Sequence, residues 1–224
     1  MKKIIFIFLI SINSLSTAKE NCTLNWDLST SGILLGKSSD KLEYKNSGLE
    51  ITSKFNPSGF FSMFGVNQFN RTVKFDLNNN IIFRSEEKLG EHNETFSWKK
   101  KENNNWQKII NNEKEEIFNI DTKNIIDSTT LPYLAQLNTI DVLKKENNVT
   151  VLTKGNPYEA ILFSETLNTP NEKFKVFFKS EKNYGEVILN EKKQPIRLFF
   201  KDSSNSFIGK LTSISCDGYS EYPL

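Results

Sequence analysis

The sequence predicts an all-β fold: an antiparallel meander curled into an open barrel or sandwich, with one short helix near residues 129–138. Three observations carry this. Apolar and polar side chains alternate at a period of two along most of the 224 residues, the pattern of strands that bury one face. The alternating runs are short and divided by Asn-, Lys- and Gly-rich segments, which suit tight turns between antiparallel neighbours. Helical spacing occurs once.

The chain opens with the pattern of a secretory signal: Lys2 and Lys3, an apolar run from Ile4 to Ile12 broken by Ser11, and the small residues Ser16, Thr17 and Ala18. The expected organisation is a signal peptide, 1–18, followed by a single β-rich domain, 19–224. The apolar run is far short of the roughly 20 residues of a spanning helix. No second such run follows, so the mature chain is not expected to span a membrane. A lipid anchor on Cys22 would need small residues just before it, and Lys19, Glu20 and Asn21 stand there.

Cys22, Leu24, Trp26 and Leu28 then alternate with polar residues as a first strand. Leu42 and Tyr44, a turn at Asn46-Ser47-Gly48, and Leu49, Ile51 and Phe55 form a hairpin. Val73, Phe75 and Leu77 run into Asn78-Asn79-Asn80, and Ile81 and Phe83 return. Phe96 and Trp98 lead through KKKENNN to Trp106 and Ile109. Ile117 and Ile120, Val149 and Val151, and Ala160 and Leu162 continue the series. Phe174, Val176 and Phe178 alternate with lysines, and Val187 and Leu189 pass through NEKKQP to Ile196, Leu198 and Phe200. Pro195 opens its strand, where a sheet tolerates proline. The exception is DSTTLPYLAQLN, Asp127 to Asn138, with capping residues, an early proline, and Leu131, Leu134, Ala135 and Asn138 at helical spacing. It is expected to plug an open end of the sheet.

Two cysteines stand at opposite ends of the mature chain. Cys22 lies on the apolar face of the first strand, and Cys216 shares a face with Ile214 near the last. They meet if those strands are neighbours or face each other across the core. A Cys22–Cys216 disulfide is expected, as in exported proteins, with two buried thiols as the alternative.

Composition narrows the function classes. Loss of the signal removes two lysines and no acids, so 27 basic side chains face 27 acidic ones. No net basic field exists to hold nucleic acid. His92 is the sole histidine, and no set of metal ligands at compatible spacing accompanies it. No glycine-rich phosphate loop follows a strand. Neither a cofactor, a metal nor a catalytic constellation is expected. The least ordinary stretch is NPSGFFSMFG, Asn56 to Gly65. Phe60, Phe61, Met63 and Phe64 are candidate contacts for an apolar ligand, as a flexible lip. The alternative is that these phenylalanines fold back to cover the open end of the curled sheet. The mature chain keeps 16 of the 18 phenylalanines, enough aromatic volume to fill a barrel or to line a cavity.

Three segments, GILLGKSSDKLEY, NIIDSTTLPYLAQL and GEVILNEKKQPIRLFF, give the chain from about Trp26 to Ile214 a resemblance to a family of bacterial exported proteins catalogued as domain of unknown function 3108. An Asp-Ser pair before a short helix, here Asp127 and Ser128, and a strand, turn and proline-led strand, here Gly185 to Phe200, are what the two share. The resemblance implies an all-β periplasmic protein and carries over no activity.

The functional expectation is therefore a secreted or periplasmic binding or carrier module for an apolar or envelope-derived ligand, with lipid among the candidates. The alternative is an envelope scaffold or protein-interaction domain without a ligand cavity. The intact mass of protein isolated from its own envelope should match residues 19–224 with Cys22 and Cys216 joined. Two free thiols, or an acyl mass on Cys22, would contradict this.

Overall fold

The alternation becomes strands from Cys22 onward in the computed structural model, which describes residues 21–63, 66–90, 93–120, 124–133, 146–203, 205–217 and 219–221. Residues 1–20, which include the predicted signal, and His92 lie outside the described residues. The first part of the chain supplies β1 (Cys22–Thr30), β2 (Ile33–Lys45), β3 (Gly48–Pro57), β4 (Gln68–Phe75), β5 (Ile81–Leu89), β6 (Glu94–Lys100), β7 (Asn105–Ile110) and β8 (Lys114–Asn119). The second part supplies β9 (Ile125–Asp127), β10 (Asn147–Leu152), β11 (Tyr158–Thr166), β12 (Phe174–Lys179), β13 (Tyr184–Leu189), β14 (Pro195–Lys201), β15 (Ser206–Cys216) and β16 (Tyr219–Glu221).

All sixteen strands belong to one sheet, ordered β8 back to β1, then β15 back to β9, with β16 on the flank of β15. Two meanders therefore run outward from a central seam, where the first strand pairs antiparallel with β15. In that register Cys22 faces Cys216, Leu24 faces Ile214, and Trp26 faces Leu211 after a bulge at Asn25. The cysteines are joined across 194 positions of sequence, as their shared inward faces predict. Among the described residues β9 and β10 form the one parallel pair. The outer strands β8 and β9 do not pair with each other, so the sheet curls without closing.

Turn chemistry explains the asparagine content. Asn111 and Asn112, which join β7 to β8, have φ of 51° and 58°, and Asn103 and Asn104 have 55° and 60°. Asparagine tolerates this left-handed region better than other side chains, and paired left-handed residues match hairpin twist. After β4 the Asp76 carboxylate accepts the Asn78 and Asn80 backbone N–H groups, each at 2.9 Å. This local cap turns the chain before Leu77, which is 71% exposed rather than inward as its phase predicted. Ile117 likewise faces out from the edge strand β8, and its neighbour Phe118 packs on the core.

Inward residues form one continuous core, with Trp26, Trp98 and Trp106 almost completely buried. Curling brings the far edge over the inner face of the first meander. The Trp98 indole N–H on β6 donates to the Thr153 carbonyl just past β10 at 2.7 Å, and Lys154 pairs with Glu94 at 2.6 Å. Backbone approaches at the seam are close: Leu28 has Gly209 opposite on one side and Gly36 on the other. A Cβ on Gly36 would stand 2.3 Å from the Asn56 carbonyl oxygen, so no side chain fits there.

Where a helix was predicted near 129–138, Ser128–Tyr133 forms a 3-10 turn with Pro132 inside it; residues 134–145 lie outside the described residues. No helix among the described residues is long and apolar enough to cross a membrane.

Candidate ligand-binding cavity

Large inward side chains fill most of the curled sheet, but not the part beside the seam. There β2 and β3 present Ser38, Asp40 and Ser53, and the backbone runs close at Gly36. The space left is a cavity of about 290 Å³. Its walls are Trp26 and Leu28 from β1, Leu35 from β2, Phe55 from β3, Phe69 and Arg71 from β4, Leu198 and Phe200 from β14, and Phe207 from β15. The aromatic walls are paired: Phe55 stacks on Phe69 and Phe200 on Phe207, at ring separations of 5.2 and 5.1 Å. Thr129 and Pro132 of the 3-10 turn close one side. A second lobe of about 240 Å³ adjoins it, sharing Arg71, Thr129, Phe200 and Phe207. That lobe is more polar, with Ser128, Tyr158, Asn183, Lys201 and Asn205 on its wall.

A cluster of buried charges sits where the 3-10 turn meets the inner wall. Isolated buried charges are expensive, so each should be paired, and these are. Arg84 Nε donates to Asp127, and both side chains are at most 4% exposed. The Arg84 guanidinium also stacks over Phe96 at 4.5 Å. Arg71 donates from Nε and Nη2 to one oxygen of Glu86, at 2.9 and 2.6 Å. Asp127 accepts the Thr129 backbone N–H at 2.9 Å and the Thr129 hydroxyl, so it caps the turn it precedes. Tyr133 at the end of the turn donates its hydroxyl to Asp40 on β2. Two side chains of one short segment thus bind β5 and β2 of the first meander, and the segment is held as a plug.

Environment separates the two acids. Burial alone would raise the Asp127 carboxyl, but the Arg84 and Arg71 charges more than offset it and leave it below the usual range. At Asp40 burial prevails over hydrogen bonds from Tyr133 and Ser53 and the Arg71 charge, so its carboxyl is raised. The indole N–H of Trp26 stands close enough to help hold Asp40 but outside hydrogen-bonding geometry. Burial, reinforced by the Asp40 charge, lifts the Tyr133 phenol well above its ordinary value, and burial with the Asp127 charge lifts Tyr158 to about 12. These groups are arranged as structural pairs. No three His, Cys, Asp or Glu side chains converge as metal ligands among the described residues.

The predicted lip is a single helical turn, α1 (Gly59–Ser62), between β3 and β4. Phe60 is 63% and Met63 84% exposed, Phe61 is half-buried, and Phe64 lies outside the described residues. Phe60 and Phe61 meet edge-on at 5.4 Å. None of these three lines the cavity. The turn is tied to its rim instead: the Ser58 N–H donates to the Leu35 carbonyl at 2.8 Å, and Val66, whose N–H donates to Phe61 O at 3.1 Å, is a wall residue. Sequence reasoning missed Asp40, Arg71, Arg84, Glu86, Asp127 and Tyr133. A signal for two of them existed: Asp40 is in phase with inward Leu42, and Arg71 with Val73; Arg84 and Glu86 are out of phase with Ile81 and Phe83 and face inward after a register shift beside Phe75. A charge at an inward strand position is the anomaly that marks a buried polar site.

No protein-family model matches the chain, and no curated protein does. Among solved structures it is similar to a β-barrel-like protein of domain of unknown function 1849 from Brucella abortus, at 9% identity and a TM-score of 0.60, over 89% of this chain and 99% of that one. At that identity the likeness shows the fold, an open β-barrel-like sheet. A protein of the domain of unknown function 1329 family from Desulfovibrio piger aligns over 91% of this chain and 88% of its own, at 9% identity and a TM-score of 0.21.

The two acids should respond differently to neutralisation. Asp127→Asn removes the closer carboxylate of buried Arg84, leaving it only Glu86 at 3.4 Å, which Arg71 already holds, and should lower unfolding stability by about 3–5 kcal/mol. Asp40→Asn keeps an acceptor for Tyr133 and removes a charge that burial disfavours, so its effect at neutral pH should stay within about 1 kcal/mol. The signs with pH also differ. A depressed carboxyl contributes stability above its unfolded range and loses it as pH falls through the folded value; a raised one contributes below that range and loses it as pH rises. Wild-type stability should therefore fall more steeply on acidification than that of Asp127→Asn. Denaturant titration from neutral to acid pH checks both, and equal losses for the two variants would contradict the assignment.

Proposed function

We propose that the chain is a binding or carrier module for an apolar or envelope-derived ligand, lodged in the cavity beside the seam. One observation carries the reading. About 290 Å³ of space lined by Trp26, Leu28, Phe55, Phe69, Leu198 and Phe207 is close to the lower end of small-molecule sites, roughly 300 Å³, and only a few polar groups interrupt it. Apolar walls with few, placed polar groups are the usual composition of such sites. Phe60 and Met63 beside the rim fit a greasy approach surface, since both face water. Export through a signal peptide cleaved near Ala18, residence in the periplasm or beyond, and membership of the family catalogued as domain of unknown function 3108 belong to the same proposal. The disulfide favours an oxidising compartment.

A second reading, an envelope scaffold or interaction domain, draws on the outer face. Phe163, Phe177, Phe199 and Ile208 fall in one cross-strand row over β11 to β15, with Glu186 between, and Ile161 and Ile208 are 40% and 42% exposed.

Titration with an apolar fluorescent probe tests the first reading. Wild-type protein should bind saturably. Val66→Trp, which narrows the rim from a loop position, should weaken binding about tenfold, or 1.4 kcal/mol. Phe60→Ser with Met63→Ser should also weaken it while unfolding stability moves by no more than about 0.5 kcal/mol, as for exposed positions. Absence of saturable binding, or binding indifferent to Val66→Trp, would count against the cavity and leave the scaffold reading ahead.

A further inference from the structure

We infer that the cavity takes a single-chain amphiphile with an oxyanion head, and that Arg71 is the residue that selects the head, an assignment that rests on the cavity reading above. Two arginines are buried in this region, and their donors are used differently. Arg84 is spent on Asp127 and Glu86, its Nη1 is sealed in the interior, and it lines neither lobe. Arg71 lines both lobes. Its Nε and Nη2 go to Glu86, whereas its Nη1 has no partner among the described residues and is not sealed off, the side chain keeping 12% exposure. A guanidinium has five donors. Two of these are given to Glu86, so the others remain on a side chain that borders both lobes.

The surroundings say which end of a ligand lies where. Apart from Arg71 and Thr129, which it shares with the smaller lobe, the larger lobe is apolar except for Ser38, Asp40 and Ser53. At roughly 30 Å³ per water-sized group, its 290 Å³ holds about ten methylene-sized units. The smaller lobe beyond Arg71 has hydroxyl, amide and ammonium donors in Ser128, Tyr158, Asn183 and Lys201, with Asp202 as its one acid. A tail therefore belongs among the aromatic rings, and the head belongs at Arg71 on the polar side. That placement also keeps an oxyanion away from Asp40, which already accepts the Tyr133 hydroxyl. An oxyanion is the head that a charged donor in a low-dielectric site favours most.

Competition against the bound apolar probe, with four ligands, tests the assignment. Decanoate should displace the probe at least tenfold more effectively than decanol, and decylammonium should be weaker than both. Acetate should not compete, because the tail supplies most of the binding. In Arg71→Met with Glu86→Gln, which removes the pair together and leaves no lone charge, the preference for decanoate over decanol should vanish. Should that variant not fold, Arg71→Lys decides. It retains the charge without the planar fork, so decanoate affinity should fall several-fold relative to decanol. Equal displacement by decanoate and decanol, competition by acetate, a preference that survives removal of Arg71, or decanoate affinity unaltered relative to decanol in Arg71→Lys would each overturn the assignment. Saturable probe binding with no head selectivity leaves the cavity standing without it, whereas no probe binding at all removes both.

Discussion

The ladder between β1 and β15 joins residues up to 194 positions apart in sequence, and every other element takes its place from it. With the first and last strands fixed side by side, each meander can only add strands outward, one to the left and one to the right. The right-handed twist of each strand pair accumulates along both arms, and the bulges at Asn25, in the seam, and at Leu28, against β2, bend β1. Both arms therefore curl the same way, and their concave faces come to share one core. Pairing so distant is slow and entropically costly to form. The disulfide at its end restricts the unfolded chain and offsets that cost.

The second constraint is the plug. An open sheet of this width has more concave surface than its own side chains cover, and the 3-10 turn from Ser128 to Tyr133 fills the gap. Apolar contact alone would hold it without fixing its position. The Arg84–Asp127 and Tyr133–Asp40 contacts fix it by direction as well as by burial. Buried ion pairs add little net stability over apolar side chains of the same shape, but breaking one is costly. A pair in this position therefore serves to make one placement of the turn far better than its neighbours. The cavity follows from that placement, because the plug covers only part of the wall and leaves the Ser38 and Ser53 region open.

Much of this was legible before any coordinates. Period-two alternation marked nearly every strand, and the asparagine-rich tracts fell on turns because asparagine accepts left-handed backbone. The disulfide was legible because Cys22 and Cys216 each shared a face with apolar neighbours. Leu77 and Ile117 misled, since phase alone does not say where an Asp76 cap ends a strand or which strand lies at an edge. The plug's proline and capping residues were visible, yet its partners were not. Arg84 and Asp127 are 43 residues apart, and nothing local links them. The cavity was hidden for a related reason: small inward residues such as Ser38 and Ser53 mean empty space only once the strands facing them are known.

The claim on which the whole account depends is that the seam makes two meanders into one cooperative unit. Amide hydrogen exchange, compared between the native protein and the Cys22→Ala/Cys216→Ala variant, tests it most directly. Slow amides in β3 to β7 and in β11 to β14 should lose protection together and by the same amount, about 2–5 kcal/mol. Loss confined to one arm, or protection unchanged in both, would contradict it.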